Sequence, residues 1–344
     1  MKTIDNPQLE LAFNFVQYTN KSVFLTGKAG TGKTTFLHNL KRLSPKRMIV
    51  VAPTGVAAIN AGGVTIHSFF QMPLGPQVPA RYTNETDTSQ PYAQNQYNIK
   101  KLNREKIGII KSMDLLVIDE ISMVRADLLD GIDDVLRRFR DHDKPFGGTQ
   151  LLMIGDIQQL APVVKEDEWE ILKSYYETVY FFSSKALNQT HFISIELKHI
   201  YRQSDEYFVN ILNKIRNNNI DKPALDELNK RYIPNFSPAE NEGYITLTTH
   251  NRRAQEINDT RLKKLPGKPR VFTAVVEGDF PDYSYPTEYN LELKTGAQVM
   301  FVKNDTSGNK LYYNGKIGKI AKIEEDSVWV ECPGDPLPIP VEKI

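Results

Sequence analysis

The chain has 344 residues, 40% of them hydrophobic and 25% charged, with a net charge of +1. That length fits two domains of ordinary globular composition, and the near-zero charge leaves any nucleic-acid surface to a local basic patch. Cys332 is the only cysteine, which excludes an internal disulfide or a cysteine metal cluster. The apolar runs are too short to span a membrane, and MKTIDNPQLE lacks the apolar core of a signal peptide, so a cytoplasmic setting is expected.

Short apolar runs predict four strands in the first half: SVFLT (22–26), MIVVA (48–52), LLVI (115–118) and LLMI (151–154). Helical spacing follows the first run at Phe36, Leu37, Leu40 and Leu43. It follows the third at Leu128, Leu129, Ile132, Val135, Leu136 and Phe139. Continuous apolar strands alternating with such helices predict an α/β fold with a parallel sheet covered on both faces. Residues 73–104, rich in Pro, Asn, Gln, Thr and Tyr, read either as a long surface loop or as a small inserted subdomain.

A second α/β region is expected from about residue 186. FISIEL (192–197) reads as a strand, Tyr207, Phe208, Ile211, Leu212 and Ile215 mark one face of a helix, and YITLTT (244–249) reads as a further strand. Beyond about residue 270, AQVMFV, GKIGKIAKI and DSVWVEC alternate around glycine punctuation. They predict short strands of a small β-barrel or antiparallel patch.

Ligands of a doubly wound sheet bind beyond the carboxyl ends of its strands. The first strand runs into GKAGTGKT (27–34), a full G-x-x-x-x-G-K-T. Its glycines let backbone N–H groups wrap a phosphate chain, Lys33 reaches the β/γ-phosphates, and the Thr34 hydroxyl can ligate Mg²⁺. Gly27, Ala29, Gly30, Thr31, Gly32, Lys33, Thr34 and Thr35 are therefore the nucleotide-binding candidates. A chance glycine-rich turn is the bland alternative, and the strand before and helix after it argue against that.

The third strand ends in Asp119-Glu120. In a P-loop protein an Asp here holds Mg²⁺, and an adjacent Glu can orient and deprotonate an attacking water. Without the P-loop it would read as a surface acid pair. The second strand ends in APTGVAA (52–58), followed by TIHSFF (65–70), whose hydroxyl, imidazole and aromatic groups can line a polymer groove. The competing reading places Phe69 or Phe70 in the core and makes His67 a packed or capping residue. The fourth strand ends in GDIQQ (155–159), close to where a γ-phosphate would lie. A neutral amide there can bond the terminal phosphate, or the glutamines can simply cap a turn.

Together these segments resemble a superfamily 1 DNA helicase of the Pif family, in the RecD-like 5′-to-3′ branch, over nearly the whole chain. GKAGTGKT resembles the first helicase motif, APTGVAAINAGGVTIHSFF the next, and LLVIDEISMV the Walker B motif. Asp133 through KPFGGTQLLMIGDIQQLAPV is similar to the family signature and third motif, and ELKHIYRQSDEYFVNILNKIR (196–216) to the fourth. TTHNRRAQEIN (248–258) is similar to a DNA-contacting motif, and LKTGAQVMFVKND with YYNGKIGKI to the entry into a barrel-like insert.

The resemblance implies two RecA-like cores. Residues 1–72 and 105–185 would form the first, with 73–104 a wedge-type insert. Residues 186–296 would form an incomplete second core, and 297–344 would begin an SH3-like β insert. It implies that Gln159 senses the γ-phosphate with Gln158 a spacer, that Arg202 is an arginine finger, and that Gln8 reads adenine. Asp156 keeps two readings, loop support or metal shell. For DNA it implies Thr54, Val56, His67 and Phe69 in the first core, and His250 and Asn251 in the second. Residues 250–270 carry seven Lys/Arg against two acids, which suits a phosphate track or a solvated helix face equally.

The implied activity is an ATP- and Mg²⁺-dependent 5′-to-3′ motor on single-stranded DNA. It would separate duplex or forked DNA in genome maintenance, repair, recombination and telomere maintenance, as a monomer. The family's last motif, a His-Lys-Ser-Gln-Gly segment followed by a second arginine, is absent before Ile344. Truncation is therefore expected, with hydrolysis and unwinding in question for this form. An ATP-gated single-strand-binding module is the alternative from another class. A P-loop kinase would instead need a small-molecule acceptor pocket.

Overall fold

The computed structural model describes residues 6–78, 102–201, 205–238, 244–276, 287–302, 305, 311–313 and 315–342. The chain divides into two compact units, Met1–Glu227 and Leu228–Ile344.

In chain order the first unit holds α1 (Pro7–Tyr18), β1 (Ser22–Gly27), α2 (Lys33–Leu43), β2 (Met48–Ala52), α3 (Gly55–Asn60), β3 (Val64–Thr65) and α4 (Ile66–Phe70). There follow α5 (Arg104–Ser112), β4 (Leu115–Ile118), α6 (Ala126–Phe139), β5 (Gln150–Gly155), α7 (Glu166–Leu172), α8 (Lys185–Asn188), β6 (Phe192–Leu197) and α9 (Glu206–Arg216). The unit boundary falls within α10 (Lys222–Asn229).

Six strands form one wholly parallel sheet in the order β3-β2-β4-β5-β1-β6. Alternate residues of a strand face opposite sides, and here both sides are covered. Leu116, Ile118, Leu151 and Met153 join α4, α5 and α6 in one core. Leu115, Val117, Leu152 and Ile154 join α1 and α2 in the other. This double burial is why the strands read as unbroken apolar runs.

Helix α6 lays Leu128, Leu129, Ile132, Val135 and Leu136 on the sheet and also buries three aspartates. Asp127 takes the Arg125 guanidinium at 2.8 Å and the Gln77 backbone N–H. Asp133 pairs with Arg137 at 2.8 Å and accepts from the Phe146 N–H. Asp130 accepts from Tyr176 Oη (2.8 Å), Ser184 Oγ (2.5 Å) and the backbone N–H groups of Lys185 and Ala186, fixing the start of α8.

Two expectations are corrected. FISIEL is a strand, but it hydrogen-bonds along β1 from Ser22↔Phe192 to Gly27↔Leu197. It therefore completes the first sheet and does not open a second core at residue 186, because period and composition mark a strand without marking its neighbour. Residues 244–248 form no strand. The unforeseen β3 has only two residues, too few to leave a pattern. Of the 73–104 segment, 73–78 is irregular, 79–101 lies outside the described residues, and Arg104 already begins α5.

The second unit contains α11 (Asn251–Lys264), with no buried residue, and an antiparallel ribbon of β7 (Arg270–Thr273) and β8 (Asn290–Leu293). A four-stranded antiparallel sheet follows, from β9 (Gln298–Met300), β10 (Ile317–Ile323), β11 (Ser327–Glu331) and β12 (Ile339–Glu342). Phe301, Val330, Cys332 and Ile339 form its small core.

Candidate nucleotide site

The carboxyl ends of β1, β4 and β5 adjoin in the sheet, so the three turns leaving them share one edge. After β1 the loop turns through Gly30 (φ 78°) and Gly32 (φ 89°), left-handed conformations in which a side chain would be strained. Gly32 is the N-cap of α2, so the first turn of that helix offers free N–H groups to an anion. Thr31 is buried, its hydroxyl donating to the Lys28 carbonyl at 2.8 Å. Ala29 is exposed in the loop, and Thr34 and Thr35 are exposed in the first turn of α2.

Lys33 folds back over this loop, its Nζ donating to the carbonyls of Gly27 (2.6 Å) and Lys28 (3.1 Å). Burial pulls its pKa down. The charges of Asp156, Glu120 and Asp119 push the other way, while Arg216 adds to the lowering. All four ionic groups therefore face one lysine.

Asp119 ends β4 with 7% exposure, and its carboxylate forms no ion pair among the described residues. Burial and the neighbouring Glu120 charge push its pKa up to about 6. Glu120 sits in the left-handed region at φ 50°, which sets it apart from the strand direction. An under-compensated buried carboxylate suits a hard, oxygen-seeking cation. No three His, Cys, Asp or Glu side chains cluster as a metal site among the described residues.

From β5, Asp156 turns inward with 2% exposure. Its Oδ2 accepts from Gln159 Nε2 at 3.0 Å and from Arg216 Nη1 at 2.6 Å, and Oδ1 accepts from the Gln158 N–H at 3.2 Å. Of the two glutamines, the structure gives only Gln159 a side-chain bond to this carboxylate. The Arg216 partnership was not foreseen, since sixty residues separate the two and an arginine at a helix end has no local signature. Tyr201 was also missed: its N–H donates to the Gly30 carbonyl at 2.8 Å, its ring lies against Gly32, and its hydroxyl accepts from Asn6 at 2.9 Å. Asn6 caps α1, which carries Gln8 in its first turn. Arg202 lies outside the described residues.

The polymer-facing candidates divide. Thr54 caps α3, accepting from the Ala57 N–H at 3.2 Å, and Val56 is exposed one turn on. His67 is half-buried, and burial followed by the nearby Arg125 charge lowers its pKa. Phe69 is 6% exposed and packs edge-on against Phe70 with ring centres 4.9 Å apart. Both rings belong to the core, which corrects the expectation that Phe69 offers a stacking face. In the second unit His250 and Asn251 are exposed at the start of α11, whose basic residues are solvated.

This strand-loop-helix, with its lysine folded over the loop and a buried aspartate after the neighbouring strand, defines a P-loop nucleotide-binding core. Residues 9–225 match the family described as PIF1-like helicase. The chain belongs to that family. It is 33% identical over 325 residues to the ATP-dependent DNA helicase PIF1 of Saccharomyces cerevisiae, covering 90% of this chain but 34% of that protein. The chain thus spans about a third of the length of this relative. A crystal structure of Bacteroides Pif1 helicase with ADP-AlF3 and single-stranded DNA superposes with a TM-score of 0.84 at 38% identity, covering 99% of this chain and 75% of that one. A structure described as the basis for DNA unwinding at forked double-stranded DNA by two coordinating Pif1 helicases gives 0.81 at 39% identity, covering 98% and 76%. No helix among the described residues is long and apolar enough to cross a membrane.

Proposed function

We propose that the chain binds and hydrolyses ATP as part of a 5′-to-3′ DNA helicase, moving on single-stranded DNA and parting duplex at a fork. The observation that carries this reading is the convergence of Asp119, Glu120 and Asp156 on a lysine seated in a complete phosphate loop. The names of the similar proteins, and the single-stranded and forked DNA named with the Bacteroides and fork structures, support the DNA half of it.

In this reading Lys33 leaves its loop carbonyls for the β/γ-phosphates. Thr34 and Asp119 would hold Mg²⁺, which when bound supplies neutralisation of phosphate charge. Glu120 takes a proton from the attacking water, Gln159 contacts the terminal phosphate, and Arg202 adds positive charge as the cleft closes. Gln8, carried on the helix whose cap bonds Tyr201, would read the base. Thr54, Val56, His67, His250 and Asn251 are the proposed DNA contacts. Residues 73–104 would be the duplex-splitting insert, the region from after β6 to 296 an incomplete second RecA-like core, and 297–344 the start of an SH3-like insert.

The test is DNA-stimulated ATP turnover and displacement of a strand bearing a 5′ or a 3′ tail. Lys33→Ala is expected to lower turnover at least ~100-fold. Turnover indifferent to both single-stranded DNA and Lys33→Ala would sink the assignment. DNA binding that follows nucleotide, without turnover, would favour the ATP-gated binding module.

A further inference from the structure

In the loop after β5, Ile157, Leu160 and Val163 are exposed, and its first turn is held by hydrogen bonds centred on Asp156. That residue accepts from the Gln158 and Gln159 N–H groups, through its side chain and its carbonyl respectively, and from the Gln159 amide through Oδ2. The same Oδ2 takes Arg216 at 2.6 Å, with the arginine side chain 18% exposed.

A buried carboxylate without a counter-ion is costly, and here it would also oppose an incoming polyanion. Asp156 is the charge that acts most strongly on Lys33, with Glu120, Arg216 and Asp119 as the other charged groups facing it. Arg216 cancels the Asp156 charge at this point. It is also the last residue of α9, and Tyr201, just ahead of that helix, is bonded to the phosphate loop at Gly30. The two flanks of α9 are thus tied to two different turns of the nucleotide site.

We propose that Asp156 and Arg216 form a positioning pair for Gln159: Arg216 neutralises and orients the carboxylate that presents the Gln159 amide to a terminal phosphate. The inference rests on reading Gln159 as the residue that contacts that phosphate. Neither member of the pair touches the nucleotide. Each acts through the glutamine, so their removal should affect recognition of a third phosphate and spare that of a diphosphate.

The experiment uses the 344-residue chain with Mg²⁺ and two fluorescent nucleotides, mant-AMPPNP and mant-ADP, alongside thermal melting. Arg216→Gln and Asp156→Asn are each expected to weaken mant-AMPPNP about tenfold and mant-ADP less than twofold, with kcat falling more than KM rises. Arg216→Lys should recover most of the loss, and the double variant should be no worse than the more severe single one. Equal losses for both nucleotides, or losses that multiply in the double variant, would overturn the pair as a positioning device. Should the unsubstituted chain fail to distinguish the two nucleotides, the Gln159 reading falls and the pair with it. Should it distinguish them and Arg216→Gln do so equally well, only the pair falls.

Discussion

Gly155 and Ile121 are in contact across the tips of two neighbouring strands. A methyl group added at Gly155 would lie 2.9 Å from Ile121 Cγ2 and 3.1 Å from its backbone nitrogen. The turn it would strike directly follows Asp119-Glu120, so the absence of a side chain on one strand sets where the acids of the other can stand. Gly155→Ala is expected to cost about 1–3 kcal/mol and to lower ATP turnover at least tenfold, with phosphate-loop binding of ADP largely kept. Melting, turnover and ADP titration check it. A variant with unchanged turnover would show that the turn relaxes freely.

Asp119 links pH to stability with a sign opposite to that of a salt-bridged acid. Its folded pKa lies at about 6 against 3.8 for an ordinary aspartate carboxyl. Below about 4 both states hold the proton, between about 4 and 6 only the folded state does, and above 6 the folded state bears the full charge-burial penalty. The ligand-free chain should therefore lose about 2–3 kcal/mol from this group as pH rises through that window. Asp119→Asn is expected to raise the melting midpoint at pH 7.5 in EDTA, while turnover falls at least ~100-fold. A lower midpoint for this variant would contradict the account.

Asp130 accepts four hydrogen bonds from Tyr176, Ser184, Lys185 and Ala186. Asp130→Ala strands those buried donors and is expected to cost about 3–5 kcal/mol in urea unfolding. Turnover per folded molecule should stay within a factor of about three, since none of the four donors that Asp130 holds belongs to the phosphate loop.

Thr54 offers a way to separate two roles of one hydroxyl. As the cap of α3 its loss should cost about 1 kcal/mol in Thr54→Ala and little in Thr54→Ser. Should it also touch DNA, Thr54→Ala will weaken single-strand binding several-fold with the nucleotide affinity intact. Unchanged DNA affinity would leave the cap as its only role.

Much of this was legible in the amino-acid order. The phosphate loop and the Asp119-Glu120 pair are local signatures, and β1, β2, β4 and β5 show as apolar runs because both of their faces are buried. What escaped was relational. Phe192–Leu197 looks like any strand, and nothing along the chain says that its partner is Ser22–Gly27. Phe69 and Phe70 look alike as core or as a stacking surface until burial decides it. Asp156 kept two readings, loop support or metal shell, because its partner Arg216 lies on a helix whose end reveals nothing about what it reaches. The region from 244 carries β-type residues, yet forms no strand, since pattern alone does not supply a neighbour to bond.

The phosphate-loop strand is translated early and completed late. β1 is flanked by β5 and β6, whose pairing begins at Val23↔Leu152 and Ser22↔Phe192, so both of its edges wait for segments well over a hundred residues downstream. Contacts that distant in sequence form slowly and only after their far partner has left the ribosome. A nascent chain that stops near residue 160 would display Ser22–Gly27 as an open edge, with the glycine loop attached to an unfinished sheet. Both edges of the strand that carries the phosphate loop are therefore paired only after β6 has been added.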